Sequence, residues 1–93
     1  MEDLVKLRDQ IDSIDDQIVK LFEERMDVIE KVGNFKREHN MEIYVPEREM
    51  AVIEKRIAQI KNPKYNKYVV DFFENVMRIS REFQTEQKDT ENE

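Results

Sequence analysis

A long heptad repeat is the feature of this sequence that most restricts how the chain can fold. Core positions recur at alternating spacings of three and four residues, which is the period of a helix that packs along its length against another helix. The repeat contains no proline, and its one glycine is Gly33. It predicts a single helix from about residue 3 to about residue 37. Its ten core positions, nine of them apolar, are Leu4, Leu7, Ile11, Ile14, Ile18, Leu21, Arg25, Val28, Val32 and Phe35.

Two shorter helices are predicted after a loop over residues 38–45. Pro46 suits the first position of a helix, and the acidic side chains in the turn that follows suit the positive end of the helix dipole. This second helix is expected to run to about residue 61, because the Asn62-Pro63 pair stops a helix. The third helix is predicted over about residues 66–84.

The chain is therefore predicted to be all-α, with one domain over residues 1–85 and an acidic, disordered tail over residues 86–93, which has nothing to bury. The first helix is about twice as long as the second, so much of its apolar seam would lack a partner within one chain. A second copy would cover that seam. This mismatch predicts an intertwined helical homodimer in which the bundle core is also the dimer interface.

Charge and composition argue against several classes of function. The net charge is −6 and no basic patch is interleaved with aromatic residues, so neither nucleic acid nor a membrane surface is an expected partner. The chain has no cysteine and one histidine, so no metal site is expected. No segment approaches the length of a membrane span, and the N-terminus lacks the basic and apolar runs of a signal peptide, so we expect a cytoplasmic protein.

Four polar residues stand where the helical period calls for apolar ones. Arg25 occupies a core position of the heptad, and Glu49 lies one turn before Ile53 on the inner face of the second helix. Ser80 lies within the apolar stripe of the third helix, and Gln84 lies one turn beyond it. Burying an isolated charge is costly unless the charge is paired or faces a ligand. Because three helices each place polar groups inward, the sequence predicts a polar pocket inside the bundle.

Each of these residues also has a purely structural interpretation. A core arginine can set the register or extend to the surface, a helical serine can bond back to its own turn, and Glu49 can simply answer the helix dipole. Lys36 favours the pocket, because it follows Arg25 by three turns on nearly the same face, a rise of about 16 Å. Two long side chains that converge across this span could share a small anionic ligand.

A joint pattern of residues runs through essentially the whole chain up to residue 84. It consists of Arg8-x-x-Ile11-Asp12-x-Ile14-Asp15, then Leu21, Arg25, Val32-Gly33 and Lys36, then Pro46-Glu47-Arg48-Glu49, and finally Ser80 and Gln84. This pattern is similar to that of the all-helical chorismate mutases. The resemblance implies an isomerase that rearranges chorismate to prephenate in phenylalanine and tyrosine biosynthesis, without a cofactor.

The resemblance implies a role for individual residues. Lys36 and Gln84 would donate hydrogen bonds to the ether oxygen, on which negative charge grows as its bond to carbon breaks, and Glu49 would accept the substrate hydroxyl. Val45 stands where the family commonly has aspartate, at a position that contacts this hydroxyl through its backbone N–H. The residues that match substrate-binding positions are Arg8, Arg25, Arg48, Ser80 and Val45.

Arg8 is expected to reach the substrate from the partner chain. It lies seventeen residues before Arg25 on one predicted helix, a rise of about 26 Å that one small substrate cannot bridge. If both arginines contact chorismate, Arg8 must come from an antiparallel helix of a second copy. The expected partners are therefore chorismate and a second copy of this chain.

Two other functions stay open at this level. An isochorismate pyruvate lyase of the same fold would also use a basic pocket. A non-enzymatic helical dimerisation or adaptor module would instead use the heptad to bind its partner, with Arg25 setting the register. The presence of both ether-oxygen donors, Lys36 and Gln84, favours the mutase.

Overall fold

The computed structural model describes residues 3–91, and in this part of the chain it shows three α-helices and no strand. The all-α prediction is confirmed. Residues 1, 2, 92 and 93, which include the ends of the predicted domain and tail, lie outside the described residues. The helices are α1 (Leu4–Glu38), α2 (Pro46–Gln59) and α3 (Asn66–Glu91), with a short 3-10 turn (Pro63–Tyr65) before α3.

Both ends of α1 are capped by the chain itself. At the start, the Asp3 carboxylate accepts a hydrogen bond from the backbone N–H of Val5 at 2.9 Å, which satisfies one of the free donors of the first turn. At the end, Asn40 takes a left-handed conformation with φ of 53°, and the N–H of Met41 donates to the carbonyl oxygen of Lys36 at 2.8 Å. This arrangement ends the helix and turns the following loop back over Lys36.

A proline opens α2, as the sequence predicts, and the backbone N–H groups of Arg48 and Glu49 donate to the carbonyl oxygen of Val45 at 3.1 and 3.2 Å. The helix ends two residues before the predicted limit of residue 61. Ile60 is already extended, with φ of −74° and ψ of 127°, so the chain leaves the helix before the Asn-Pro pair rather than at it.

The third helix is longer than predicted. It continues to Glu91, so residues 86–91 are helical where a disordered tail was expected. The prediction rested on acidic composition, but no glycine or proline follows residue 63 to end the helix. Gln87, in this added segment, also meets α1, because its Nε2 lies 3.5 Å from the carbonyl oxygen of Glu30.

The packed core of the described chain is very small. α3 packs against both α1 and α2, and the buried apolar side chains among residues 3–91 are Val52, Val76 and Met77. The Cα radius of gyration is 16.8 Å, whereas a compact domain of this length has a radius of about 12 Å. One chain is therefore an open, elongated layer of helices and not a closed bundle.

The heptad seam of α1 is exposed over the first half of the helix. Every residue from 3 to 24 is exposed, including Ile11, Ile14 and Leu21, with exposed fractions of 55%, 56% and 60%. Contiguous apolar surface of this kind marks an interaction site. Within residues 3–91, no helix is both long enough and apolar enough to cross a membrane.

Candidate active site

Polar side chains from all three helices meet in one cavity of about 180 Å³. Seven of the eight site residues predicted from the sequence line this cavity, and Arg8 does not. The seven are Arg25, Lys36, Val45, Arg48, Glu49, Ser80 and Gln84. Its apolar walls are formed by Ile29, Val32, Ile43, Val52 and Met77.

A larger open cleft of about 850 Å³ adjoins this cavity, between the loop after α1 and the C-terminal half of α3. Lys36, Arg81 and Gln84 line both spaces. Small-molecule sites usually measure about 300–1,000 Å³, so the cavity needs part of the cleft to hold a ligand of ordinary size. We assign the site to the cavity, because charged groups from three helices converge there.

Arg25 and Ser80 join α1 to α3 at the cavity. Arg25 Nη1 donates to Ser80 Oγ at 2.5 Å, and Ser80 Oγ donates to the carbonyl oxygen of Val76, one turn earlier, at 2.9 Å. Ser80 therefore bonds back to its own turn, as its structural interpretation requires, and it also orients the guanidinium. Because a guanidinium has five N–H donors, this bond does not use up the donors of Arg25.

Two guanidinium groups lie close enough at the cavity to repel each other. The pKa of Arg25 is lowered, first by burial of the side chain and second by the positive charge of Arg48. Arginine nevertheless stays protonated at neutral pH. Both effects penalise the charge on Arg25, and an anion between the two side chains would offset both. The pair therefore suits a carboxylate ligand.

Lys36 is held at the cavity by the loop that follows its own helix. Its Nζ donates to the carbonyl oxygen of Ile43 at 2.9 Å, and the C-terminal cap of α1 brings this carbonyl back over the lysine. An ammonium group has three donors. One bond to the loop fixes the position of Nζ and leaves donors for a ligand.

Gln84 is 5% exposed and has unmet hydrogen-bonding capacity. Its Nε2 donates to the carbonyl oxygen of Ser80 at 3.1 Å, while Gln84 Oε1 has no hydrogen-bond partner in the described part of the chain. Buried polar atoms nearly always have a partner, so an incompletely bonded amide at a cavity is typical of a group that meets a ligand. α1 approaches this side chain closely at Gly33, where an added Cβ would lie 3.2 Å from Gln84 Cγ.

Glu49 is already paired, and this pairing was not predicted from the sequence. Arg81 Nη1 donates to Glu49 Oε1 in an ion pair between α3 and α2. The same guanidinium lies over the ring of Tyr44, with its Cζ 4.7 Å from the ring centroid. The sequence held a signal for Arg81, because it follows the buried Met77 by four residues and so shares its helix face.

Arg8 lies far from the cavity of its own chain. It is exposed on the second turn of α1, about 26 Å before Arg25 along the helix axis. Its role in a site completed by a second copy stays a prediction.

The cavity offers charge and hydrogen bonds and lacks the parts of a nucleophilic site. Four cations and one carboxylate line it. Ser80 is bonded to an arginine and a carbonyl, and the chain's one histidine, His39, is exposed and is not among the lining residues, so the serine has no histidine to activate it. Between residues 3 and 91, His, Asp and Glu side chains form no group of three or more that could hold a metal ion.

Comparison with known proteins gives one family. Residues 7–85 match the family described as chorismate mutase type II. The T-protein of Haemophilus influenzae is 36% identical over 78 residues, which cover 84% of this chain and 20% of that protein. The bifunctional chorismate mutase/prephenate dehydratase of Aquifex aeolicus is 44% identical over 55 residues, covering 59% of this chain and 15% of that protein.

A second T-protein, from Enterobacter agglomerans, is 35% identical over 88 residues, which cover 94% of this chain and 23% of that protein. The chain thus spans about a fifth of the length of these curated relatives.

Proposed function

The chain belongs to the chorismate mutase type II family, and from this premise we propose that it is an isomerase that converts chorismate to prephenate for phenylalanine and tyrosine biosynthesis. The observation that carries the proposal is the convergence of Arg25, Lys36, Arg48 and Gln84 on one cavity. Chorismate has two carboxylates and an ether oxygen, and the three cations and the Gln84 amide N–H suit such groups.

The reaction needs no group that the cavity lacks. In this Claisen rearrangement the ether C–O bond breaks while a C–C bond forms, within one molecule and without proton transfer or a covalent intermediate. The protein must hold a compact, chair-like conformer and stabilise the negative charge that grows on the ether oxygen. A cavity with fixed donors and no activated nucleophile suits these two tasks.

Arg25 and Arg48 bind the carboxylates in this proposal. Ser80 fixes the orientation of Arg25 through its hydroxyl. The bound anion offsets the burial and the mutual repulsion that lower the pKa of Arg25. Relief of the repulsion between Arg25 and Arg48 therefore contributes to the free energy of binding.

Lys36 and Gln84 stabilise the transition state by donating to the ether oxygen. Each is already positioned by one internal bond, to the carbonyl oxygens of Ile43 and Ser80 respectively, so little reorganisation is needed when charge develops. Glu49 accepts a hydrogen bond from the substrate hydroxyl, and the backbone N–H of Val45, just before α2, contacts the same hydroxyl. Removing a single such donor typically lowers kcat by about 10²–10³-fold.

The active form in this proposal is an intertwined homodimer in which the partner subunit's Arg8 completes each site. The exposed α1 seam and the 16.8 Å radius of gyration support it, since one chain alone leaves most of its apolar residues in water. Two antiparallel copies of α1 would cover each other and carry Arg8 of one chain toward Arg25 of the other. The cytoplasmic location expected from the sequence stays a prediction.

The test is to incubate purified protein with chorismate, follow the loss of ultraviolet absorbance and identify the product. We expect prephenate, with activity strongly reduced in Lys36→Met and retained in Lys55→Met, which removes an exposed lysine of α2. Incubation with isochorismate is the parallel assay. Salicylate and pyruvate formed from isochorismate, without prephenate from chorismate, would indicate the lyase, and no turnover of either compound would favour an adaptor.

A further inference from the structure

Arg81 is a charged residue of the cavity to which the resemblance assigns no role. It lies on α3 directly after Ser80, and its side chain is 31% exposed. Its guanidinium contacts two groups from other parts of the chain, the ring of Tyr44 in the loop after α1 and the carboxylate of Glu49 on α2. One side chain thus joins α3 to α2 and to the loop after α1.

Three arginines of the cavity are candidates to pair with the Glu49 carboxylate. Arg25, Arg48 and Arg81 all line the same cavity, and Glu49 is the one carboxylate among the lining residues. If Glu49 turned toward Arg25 or Arg48, it would occupy a cation that the substrate carboxylates need. In the structure Glu49 instead pairs with Arg81.

Tyr44 explains why Arg81 can hold the carboxylate in place. A guanidinium over an aromatic ring gains a cation–π contact and loses side-chain freedom. The ring is 4.7 Å from Arg81 Cζ, on a loop that Lys36 also binds through Ile43. The contact with the ring therefore helps to fix the guanidinium whose Nη1 pairs with Glu49 Oε1.

We propose that Arg81 is a positioning residue that holds Glu49 away from Arg25 and Arg48, so that these two arginines stay available for the carboxylates of the substrate. This inference rests on the proposed function. It assigns Arg81 no contact with the substrate, so its effect must pass through Glu49. That dependence separates it from direct contact between Arg81 and the substrate, because the effect of Arg81 should disappear when residue 49 carries no charge.

The test compares Arg81→Met and Arg81→Lys in the wild-type and Glu49→Gln backgrounds. The readouts are kcat and KM for chorismate and the Kd of prephenate by titration calorimetry, which does not require turnover. Arg81→Met should raise KM and Kd about tenfold or more, since a blocked arginine loses a charge-assisted contact worth about that factor. Arg81→Lys should restore part of the binding, because a lysine keeps a charge that can pair with Glu49 but lacks the planar guanidinium.

In the Glu49→Gln background, Arg81→Met should change the Kd of prephenate by less than about threefold, because a neutral amide competes weakly for arginines. The matched control is Arg56→Met, which removes an arginine of α2 that donates to Gln59 Oε1 at 2.9 Å, lies over the Phe73 ring and lines neither the cavity nor the cleft. It should bind prephenate like the wild type. The thermal midpoint of Arg81→Met should fall by no more than about 4 °C, as for a partly exposed ion pair.

Three results would overturn the inference alone: unchanged binding in Arg81→Met, an equal loss of binding in both backgrounds, or no rescue by Arg81→Lys. Wild-type protein that neither converts chorismate nor binds prephenate would overturn the proposed function, and the role of Arg81 with it. The two failures are thereby distinguished.

Discussion

Arg25 has opposing effects on stability and on binding. Its guanidinium is partly desolvated and lies near the charge of Arg48, and both effects lower its pKa. In the free protein both effects destabilise the charged form of Arg25. In a complex, attraction between the guanidinium and a bound carboxylate would offset this cost. Residues of this kind are retained for function at some expense of stability.

Arg25→Met should separate these effects. Without the buried charge, the free energy of unfolding should stay the same or rise by up to about 1 kcal/mol, because Ser80 keeps its bond to the Val76 carbonyl. Prephenate binding should be lost. Thermal denaturation and calorimetry of the same sample measure both quantities. A large loss of stability together with unchanged binding would show that Arg25 is a structural residue that sets the helix register.

Gln84→Glu should shift the pH optimum of the reaction toward acid. A protonated carboxyl group can donate to the ether oxygen, whereas a carboxylate would repel the developing charge. Activity should therefore be present below the pKa of the new carboxyl group and should fall as the pH rises through it. The measurement is kcat/KM against pH beside the wild type and Gln59→Glu, which alters an exposed glutamine of α2. A Gln84→Glu variant with wild-type activity at neutral pH would refute the assigned role.

The sequence predicted which residues line the cavity better than how they pair. Seven of the eight residues line it; Arg25, Glu49, Ser80 and Gln84 stand out as polar residues of apolar stripes, whereas Arg48 and Val45 are implied only by the family resemblance. The pairing of Glu49 with Arg81 could not be predicted, since it depends on how α3 is rotated against α2. That rotation is set by tertiary packing, which the helical period of either helix leaves undetermined.

At the scale of the helices, α1 and α3 pack closely together at Gly33. Gly33 is the buried residue of α1, and an added Cβ would contact Gln87 and lie 3.2 Å from Gln84 Cγ. The end of the Gln87 side chain can move away. Gln84 has less freedom, because its amide is already bonded to the Ser80 carbonyl. The glycine therefore leaves room for Gln84, the proposed donor to the ether oxygen.

Gly33→Ala should reduce activity more than stability. Alanine stabilises a helix by up to about 1 kcal/mol relative to glycine, which offsets much of the crowding, but displacement of Gln84 should lower kcat by about tenfold to a hundredfold. Stopped assays and thermal denaturation test the two effects. The Gly33→Ala/Gln87→Ala double variant is the control, and full recovery of activity in it would show that crowding of Gln87, and not of Gln84, caused the loss.

Helix starts were easier to predict than helix ends. Pro46 and the acidic turn after it mark the start of α2 by local chemistry. The end of α3 has no such mark, because residues 85–91 are polar and still compatible with a helix. The composition of these residues indicated that they have little to bury. It could not predict that Gln87 contacts α1, because that contact depends on tertiary packing.

At the scale of the whole molecule, one chain leaves its longest helix largely uncovered. Ile14, near the middle of the exposed seam, is 56% exposed. Burying an isoleucine contributes about 1.5–3 kcal/mol to stability. In a symmetric dimer Ile14 of each chain would be buried, so the contribution is made twice. The proposed dimer should therefore depend strongly on this position.

Ile14→Asp should shift the protein from dimer to monomer or unfold it, and abolish activity. Lys20→Asp, which changes an exposed residue of α1 outside the heptad core, should leave the mass at that of a dimer. Sedimentation equilibrium gives the mass. The thermal midpoint of the wild type should also rise with protein concentration, since association stabilises the folded state. A wild-type protein that is monomeric and active would contradict the proposed assembly.

The central claim is that each chorismate rearrangement site is built from two chains, with Lys36 from one chain and Arg8 from the other. Arg8→Ala and Lys36→Ala homodimers should both be nearly inactive. When the two variants are unfolded together and refolded as a mixture, about half of the dimers should be mixed, each with one intact site and one site that lacks both groups. The mixture should recover about a quarter of the wild-type rate of prephenate formation from chorismate. Activity no higher than that of the two parents, with mixed dimers shown to be present, would contradict the claim.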